Sequence, residues 1–177
     1  MELKGSKTEK NLMAAFAGET QARAKYTYFA SIAEREGYMQ LGSIFRETAE
    51  NEHAHAKLWF GLLGGLSNTL ENLKNAASGE HFENSEMYPE FARVAKEEGF
   101  DHIAALFDRV CAIENEHEKR YRKLIANMED GKIFSRDNEV MWICRNCGYI
   151  HVGKEAPKVC PACAHPQSYF QIKAENY

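Results

Sequence analysis

The fold is decided by a stretch of sequence that occurs twice. Residues 33–55 read AEREGYMQLGSIFRETAENEHAH, and residues 95–117 read AKEEGFDHIAALFDRVCAIENEH. At an offset of 62 residues, Gly37 matches Gly99 and Phe45 matches Phe107, and both copies end in Glu-x-x-His. A repeat of this kind indicates that one supersecondary unit is used twice.

Each copy of the repeat lies in a region with the pattern of long helices. The first 130 residues contain a single proline, the residue that most disfavours helices, and are rich in Ala, Glu, Lys and Leu. These four residue types are strong helix formers. Breaks divide the region into four amphipathic segments of about 25–30 residues. These breaks fall at Gly37, 61–67, Gly99 and Gly131. The short first and third connections favour antiparallel neighbours, which predicts a four-helix bundle.

The two copies differ in length by one residue. Tyr26 matches Tyr88 at the offset of 62, whereas Glu19 matches Glu80 at an offset of 61. The second copy therefore contains one additional residue between Glu80 and Tyr88. A single residue inserted into a helix is typical of a π-bulge, and π-bulges often occur at functional sites.

Acidic residues and histidines occur at the spacing of a two-metal site. Glu-x-x-His places two ligands on one face of a helix. Di-iron bundles combine two such pairs with one further Glu from each of the other two helices. The middle of the four segments supplies this set: Glu19, Glu52, His55, Glu80, Glu114 and His117. Carboxylates with two imidazoles suit iron or manganese.

A second Glu-x-x-His match, formed by Glu50 and His53, competes with Glu52 and His55. Two residues turn a helix by about 200°, so the two pairs cannot share a face. The repeat matches Glu50 and His53 with Ala112 and Asn115, which are not metal ligands of this type. We therefore interpret Glu50 and His53 as surface residues.

Glu83 breaks the symmetry of the two copies. It follows Glu80 by three residues, on the same helix face, where the first copy has Ala22 after Glu19. We interpret Glu83 as a seventh ligand that gives one iron an additional carboxylate. The five carboxylates then nearly balance the charge of two ferrous ions, which limits the electrostatic cost of burying the site.

Four of the five cysteines form two CxxC pairs with twelve residues between them, Cys144/Cys147 and Cys160/Cys163. Two such pairs predict a tetrahedral four-sulfur site for zinc or iron, and the spacing leaves both metals open. Residues 138–177 contain three of the four prolines and form a module that needs a metal to fold. The fifth cysteine, Cys111, fits either a core position or one that faces the helical site.

Composition and charge limit the classes of partner. The net charge of −4 gives no reason to expect binding to nucleic acid or membranes. The longest apolar runs are far shorter than the ~18 residues of a membrane span. The segment MELKGSKTEKNL at residues 1–12 has no apolar signal core, which predicts a cytoplasmic protein.

The motifs resemble a known family over essentially the whole chain. AFAGETQARAKYTYFA, ETAENEHAHAK, GEHFENSEMYPEFARVAKEEG and IENEHEKRY resemble rubrerythrin, and WICRNCGYIHVGKEAPKVCPACAHPQSYF resembles rubredoxin. The resemblance implies an all-α ferritin-like bundle with a di-iron centre at residues 1–135. It implies a small, mostly irregular or β, rubredoxin-like module at residues 138–177, with one iron held by four cysteines.

The resemblance also implies an activity. It predicts a peroxidase that reduces hydrogen peroxide to water in oxidative-stress defence, as a homodimer. Electrons would come from NADH through a separate reductase or rubredoxin and pass through the four-cysteine iron. It implies that the ligands are Glu19, Glu52, His55, Glu80, Glu83, Glu114 and His117, together with Cys144, Cys147, Cys160 and Cys163.

Two alternative functions stay open, and so does one feature of the assembly. A ferroxidase or iron-storage protein uses a similar bundle centre but has no obvious need for an electron-transfer module. A structural bundle with a zinc ribbon would be colourless. The sequence also leaves open an exchange of helices between subunits, because the connection at residues 61–72 does not exclude it.

Overall fold

The structure is a computed structural model that describes residues 2–175, and it consists of two compact units, residues 2–68 and 69–175. The first unit is a hairpin of helices α1 (Lys7–Arg35) and α2 (Met39–Leu62). Ser6 begins α1 as an N-cap whose hydroxyl accepts a hydrogen bond from the Glu9 amide at 3.0 Å.

Small residues let α1 and α2 approach closely. Ala30 and Ala33 of α1 and Ala49 and Ala56 of α2 are buried. A Cβ atom added at Gly42 would lie 3.3 Å from the carbonyl oxygen of Ala30, so glycine permits this contact. The turn between the helices contains Gly37 at φ +88°, the left-handed region that favours glycine.

The helical part of the second unit contains α3 (Thr69–Phe82), a π-helical turn (Glu83–Met87), α4 (Tyr88–Glu97) and α5 (Asp101–Glu129). The π-helical turn lies in the interval where the repeat predicts the inserted residue, so this prediction is confirmed. The turn joins α3 directly to α4, and together they correspond to one of the four predicted segments.

The repeat is visible in the packing of aromatic rings. In each unit three rings form a triad, which is Tyr26, Phe29 and Phe45 in the first and Tyr88, Phe91 and Phe107 in the second. The two phenylalanine rings of a triad are 5.7 Å apart in the first unit and 5.6 Å in the second. The tyrosine lies 6.2 Å and 6.0 Å from the phenylalanine of the other helix. The matched positions therefore have matched surroundings.

The C-terminal part of the second unit is a small β module. Strands β1 (Ser135–Cys144), β2 (Ile150–Glu155) and β3 (Phe170–Ile172) form an antiparallel sheet in the order β2-β1-β3. β1 is ten residues long, which is more strand than the sequence indicates. Trp142 is fully buried in the core of the module, where its indole nitrogen donates to the Gly153 carbonyl oxygen at 3.0 Å.

The predicted fold class, a mostly helical protein with a small β module after the helices, is confirmed. Within residues 2–175, no helix is both long enough and apolar enough to cross a membrane.

Candidate metal centres

The first helical hairpin brings together three of the predicted ligands. One ligand atom from each of Glu19, Glu52 and His55 lies within 4.8 Å of the other two. The His55 Nδ1 atom is 3.0 Å from Glu52 Oε2 and 3.9 Å from Glu19 Oε1. The three-residue spacing in α2 produces the first contact, and the packing of α1 on α2 produces the second.

The second unit brings together the three matching residues. Glu80, Glu114 and His117 form the equivalent group, with His117 Nδ1 at 2.7 Å from Glu114 Oε2 and 3.5 Å from Glu80 Oε2. Burial raises the pKa of Glu80, and the neighbouring Glu114 carboxyl raises it further. A bound cation would offset this cost of gathering carboxylates, so the group fits a metal.

Each group has the composition of half of the ligand set that a di-iron bundle uses. It offers two carboxylates and one imidazole from two helices, whereas a di-iron bundle draws ligands from four. Among the described residues, Glu83 belongs to neither group. It begins the π-helical turn and is half-buried. Burial raises the pKa values of Glu80 and Tyr88, and the charge of Glu83 adds to both shifts.

The competing pair Glu50 and His53 takes part in neither group of described ligands. The Glu50 side chain is 71% exposed and lies 4.0 Å from the guanidinium of Arg23. This position agrees with our interpretation of Glu50 as a surface residue.

A buried carboxylate next to the second group was not predicted. Glu118 is buried and accepts hydrogen bonds from Asn84 at 2.8 Å and Arg122 at 2.6 Å, and it lies 3.1 Å from His81 Nδ1. The hydrogen bond from Asn84, followed by that from Arg122, lowers the pKa of Glu118 to about 2. The only signal in the sequence is that Glu118 replaces Ala56 of the first copy.

This network also holds the π-helical turn. The Asn84 side-chain amide donates to both Glu118 and the Glu80 carbonyl oxygen, which is 2.7 Å away. The Cys111 thiol donates to the Asn84 carbonyl oxygen at 3.1 Å. Side chains therefore donate hydrogen bonds to backbone carbonyl groups of a turn whose own hydrogen bonding is irregular. Cys111 packs against this turn.

The four remaining cysteines converge in the β module. Their sulfur atoms all lie within 4.8 Å of one another, and the Cys144–Cys163 and Cys147–Cys160 sulfur distances are both 3.7 Å. Four sulfurs at about 2.3 Å from one tetrahedral metal ion would be about 3.8 Å apart. The sulfurs are thus too far apart for disulfides and fit a single metal ion.

The two CxxC turns have matching backbone conformations. The amides of Tyr149 and His165 point at the sulfurs of Cys147 and Cys163, each two residues earlier. The His165 amide lowers the pKa of Cys163 to about 6, because a donor stabilises the thiolate that binds metal. Apolar residues surround the site: Trp142, Tyr149 and Phe170 pack in the same core as the cysteines.

Comparisons with known proteins agree with both kinds of site. The rubrerythrin family model matches residues 10–125, and the model of the rubredoxin-like domain of rubrerythrin matches residues 142–171. The chain is 52% identical to a rubrerythrin of Porphyromonas gingivalis, over 99% of this chain and 94% of that protein. It is 50% identical to Rubrerythrin-1 of Clostridium acetobutylicum, over 99% and 98% of the two chains.

A third relative, the rubrerythrin of Nitratidesulfovibrio vulgaris, is 45% identical over 99% of this chain and 98% of its own. The two Glu/Glu/His groups and the four cysteines fit the iron cofactors of this family, which are a di-iron centre and a rubredoxin-type iron. On the family models and on identity over nearly the full length, this chain belongs to the rubrerythrin family.

Proposed function

We propose that this protein is a peroxidase that reduces hydrogen peroxide to water at a di-iron centre, with electrons relayed through the four-cysteine iron. The presence of both kinds of site in one chain supports this proposal. Each turnover consumes one H₂O₂, two electrons and two protons, and it yields two molecules of water. An iron-storage protein has no need for the second site.

In this proposal residues 1–135 form the di-iron domain, and the two Glu/Glu/His groups share one pair of irons. When bound, the irons supply two electrons and polarise the oxygen–oxygen bond. The protein's own residues fix the positions of both ions through carboxylates and imidazoles. Glu83, the proposed ligand without a counterpart in the first copy, or one of the histidines would change its coordination between oxidation states.

Residues 138–177 form the relay domain. The amides of Tyr149 and His165 stabilise thiolate sulfur, and the buried Trp142 and Phe170 exclude water from one side of the site. Both effects tune the potential of a bound iron. The electron donor is a separate reductase that uses NADH, or a rubredoxin, and the protein acts as a homodimer.

Iron analysis combined with a visible spectrum and a peroxide assay tests this function. We expect about three irons per chain, a red protein, and peroxide consumption that depends on an electron donor. Fewer than two irons per chain would contradict the proposal. A ferroxidase would instead accumulate further iron when supplied with excess Fe²⁺, and its turnover would not need the donor.

A further inference from the structure

We propose that the di-iron centre is assembled between two copies of this chain, which exchange helices. In this arrangement, α1 and α2 of one copy pack against α3, α4 and α5 of the other. The inference rests on the proposed di-iron function and concerns where the two halves of the centre come from. The main evidence for the exchange is the short connection between α2 and α3.

A ferritin-like bundle needs one long crossover connection. The α1–α2 and α4–α5 connections span residues 36–38 and 98–100, three residues each. The crossover must therefore be the connection between α2 and α3. That connection has only six residues, 63–68, because α2 ends at Leu62 and α3 begins at Thr69.

Six residues are too few to cross the bundle. α2 continues for ten residues from Glu52 to Leu62, and α3 begins eleven residues before Glu80. If both ligands lie in one layer and the helices are parallel, the two helix ends are about 32 Å apart along the axis at 1.5 Å per residue. The seven steps from Leu62 to Thr69 span about 25 Å at full extension. One chain cannot therefore complete this bundle alone.

The ligand-bearing face of the first unit is open. A stripe on α2 runs from Leu41 through Glu52 and His55 to Leu62, at alternating intervals of three and four residues. This spacing is that of the buried seam between bundle helices. Leu41 and Leu62 are nevertheless 50% and 54% exposed, and the His55 side chain is more than half exposed.

The ligand-bearing face of the second unit is open in the same way. The matching stripe on α5 runs from Ile103 through Glu114 and His117 to Leu124. Ile103 is 44% exposed and Leu124 is 38% exposed. Burying both stripes against each other would cover the apolar residues and would surround the ligands with four helices.

A second copy is the partner that fits these faces. Each unit presents two carboxylates and one imidazole at the same heptad spacing, which is the half that the other unit lacks. Two chains related by a two-fold axis would pair both first units with both second units. This closed dimer contains two complete centres and leaves no ligand-bearing face open.

Complementation between two inactive variants tests the exchange. One variant carries Glu52→Gln and His55→Gln, and the other carries Glu114→Gln and His117→Gln. The two are co-expressed with different affinity tags, and the dimer that carries both tags is purified. Exchange places the two unchanged units in one centre and the two altered units in the other. Without exchange, every centre contains one altered half.

The readout is the iron content of the mixed dimer, together with the absorption of its di-iron centre. Exchange predicts about four irons, two in one restored bundle centre and two in the four-cysteine sites. A mixed dimer with about two irons, or the recovery of no mixed dimer, would overturn the inference. Retained four-cysteine absorption and helical circular dichroism show that the variants fold, and single Glu52→Gln and Glu114→Gln variants repeat the test if they do not.

The wild-type dimer separates this inference from the proposed function. About six irons in the wild-type dimer with only two in the mixed dimer would leave the di-iron proposal intact and refute the exchange. A wild-type dimer without bundle irons would refute the proposed function itself. An iron-loaded wild-type protein with the mass of one 20.2 kDa chain would also overturn the exchange.

Discussion

The His55 Nδ1 atom lies 3.0 Å from Glu52 Oε2, and both residues are proposed ligands in the first half of the centre. One repeat later, His117 stands in the same relationship to Glu114 at 2.7 Å. The likeness supports the proposal that each helix pair positions its own half of the ligand set before iron binds.

The competing pairs on α2 provide a matched test of the ligand assignment. Replacing Glu52 and His55 with glutamine should remove both bundle irons, lower the iron content to about one per chain, and abolish peroxide reduction, because two of the ligands are lost. Replacing Glu50 and His53 in the same way should leave about three irons per chain. Iron analysis of both purified variants checks this, and equal iron loss from both would refute the assignment.

The relay role of the four-cysteine site predicts a separation of two activities. Cys147→Ser should remove the red absorption and abolish steady-state peroxide reduction with an external donor. The chemically reduced variant should still react once with peroxide, because its bundle ligands are unchanged. Cys111→Ser, which keeps a donor for the Asn84 carbonyl oxygen, is the control and should retain the red iron. Steady-state turnover in a Cys147→Ser protein that lacks this iron would disprove the relay.

The buried Glu118 network should stabilise the second unit. Glu118→Gln weakens the hydrogen bonds from Asn84 and Arg122 and should lower the free energy of unfolding by about 1–3 kcal/mol. Glu116 is an exposed residue whose contact is a surface pair with Lys119, so Glu116→Gln should change stability far less than Glu118→Gln does. Denaturation curves of the two variants at neutral pH make the comparison.

The same network predicts how stability depends on pH. The pKa of Glu118 is about 2 in the folded protein, below its ordinary value of 4.5. As the pH falls below about 4.5, the unfolded chain takes up a proton that the folded protein does not. The contribution of Glu118 is therefore complete above that pH and is lost as the pH falls towards about 2. Melting temperatures between pH 7 and pH 3 should fall less steeply for Glu118→Gln than for the wild type.

The residue after each CxxC turn has a positive φ angle, +78° at Gly148 and +58° at Ala164. This conformation disfavours residues with a Cβ atom. Ala164→Gly should stabilise the β module by up to about 1 kcal/mol, whereas Gly148→Ala should destabilise it by about 1 kcal/mol or more. Thermal loss of the four-cysteine absorption measures both effects. Stabilisation by Gly148→Ala would contradict this explanation.

Much of the helical region is predictable from the sequence because the same helix-end and ligand patterns occur in both copies of the repeat. The ends of α1 and α4 follow from Gly37 and Gly99, and the π-helical turn follows from a difference of one residue between two offsets. The repeat also separates Glu52 and His55 from the neighbouring pair. These signals depend on helix geometry, which is local.

Other features depend on contacts that no local pattern encodes. Glu118 meets Asn84 and His81 more than thirty residues away, and the first copy has Ala56 in its place. The inference that helices are exchanged also could not be made from the sequence, because it depends on the residues at which α2 ends and α3 begins. Sequence periodicity locates helix ends to within a few residues, and each residue changes the reach of this connection.

The central claim is that the protein stores three electrons per chain for peroxide, two at the di-iron centre and one at the four cysteines. Anaerobic titration of the fully reduced, iron-loaded protein with hydrogen peroxide tests it most directly, with re-oxidation followed in the visible spectrum. Since each peroxide takes two electrons, we predict complete re-oxidation at about 1.5 equivalents per chain, with the four-cysteine absorption returning in full. A four-cysteine iron that stays reduced while peroxide is in excess would contradict the account.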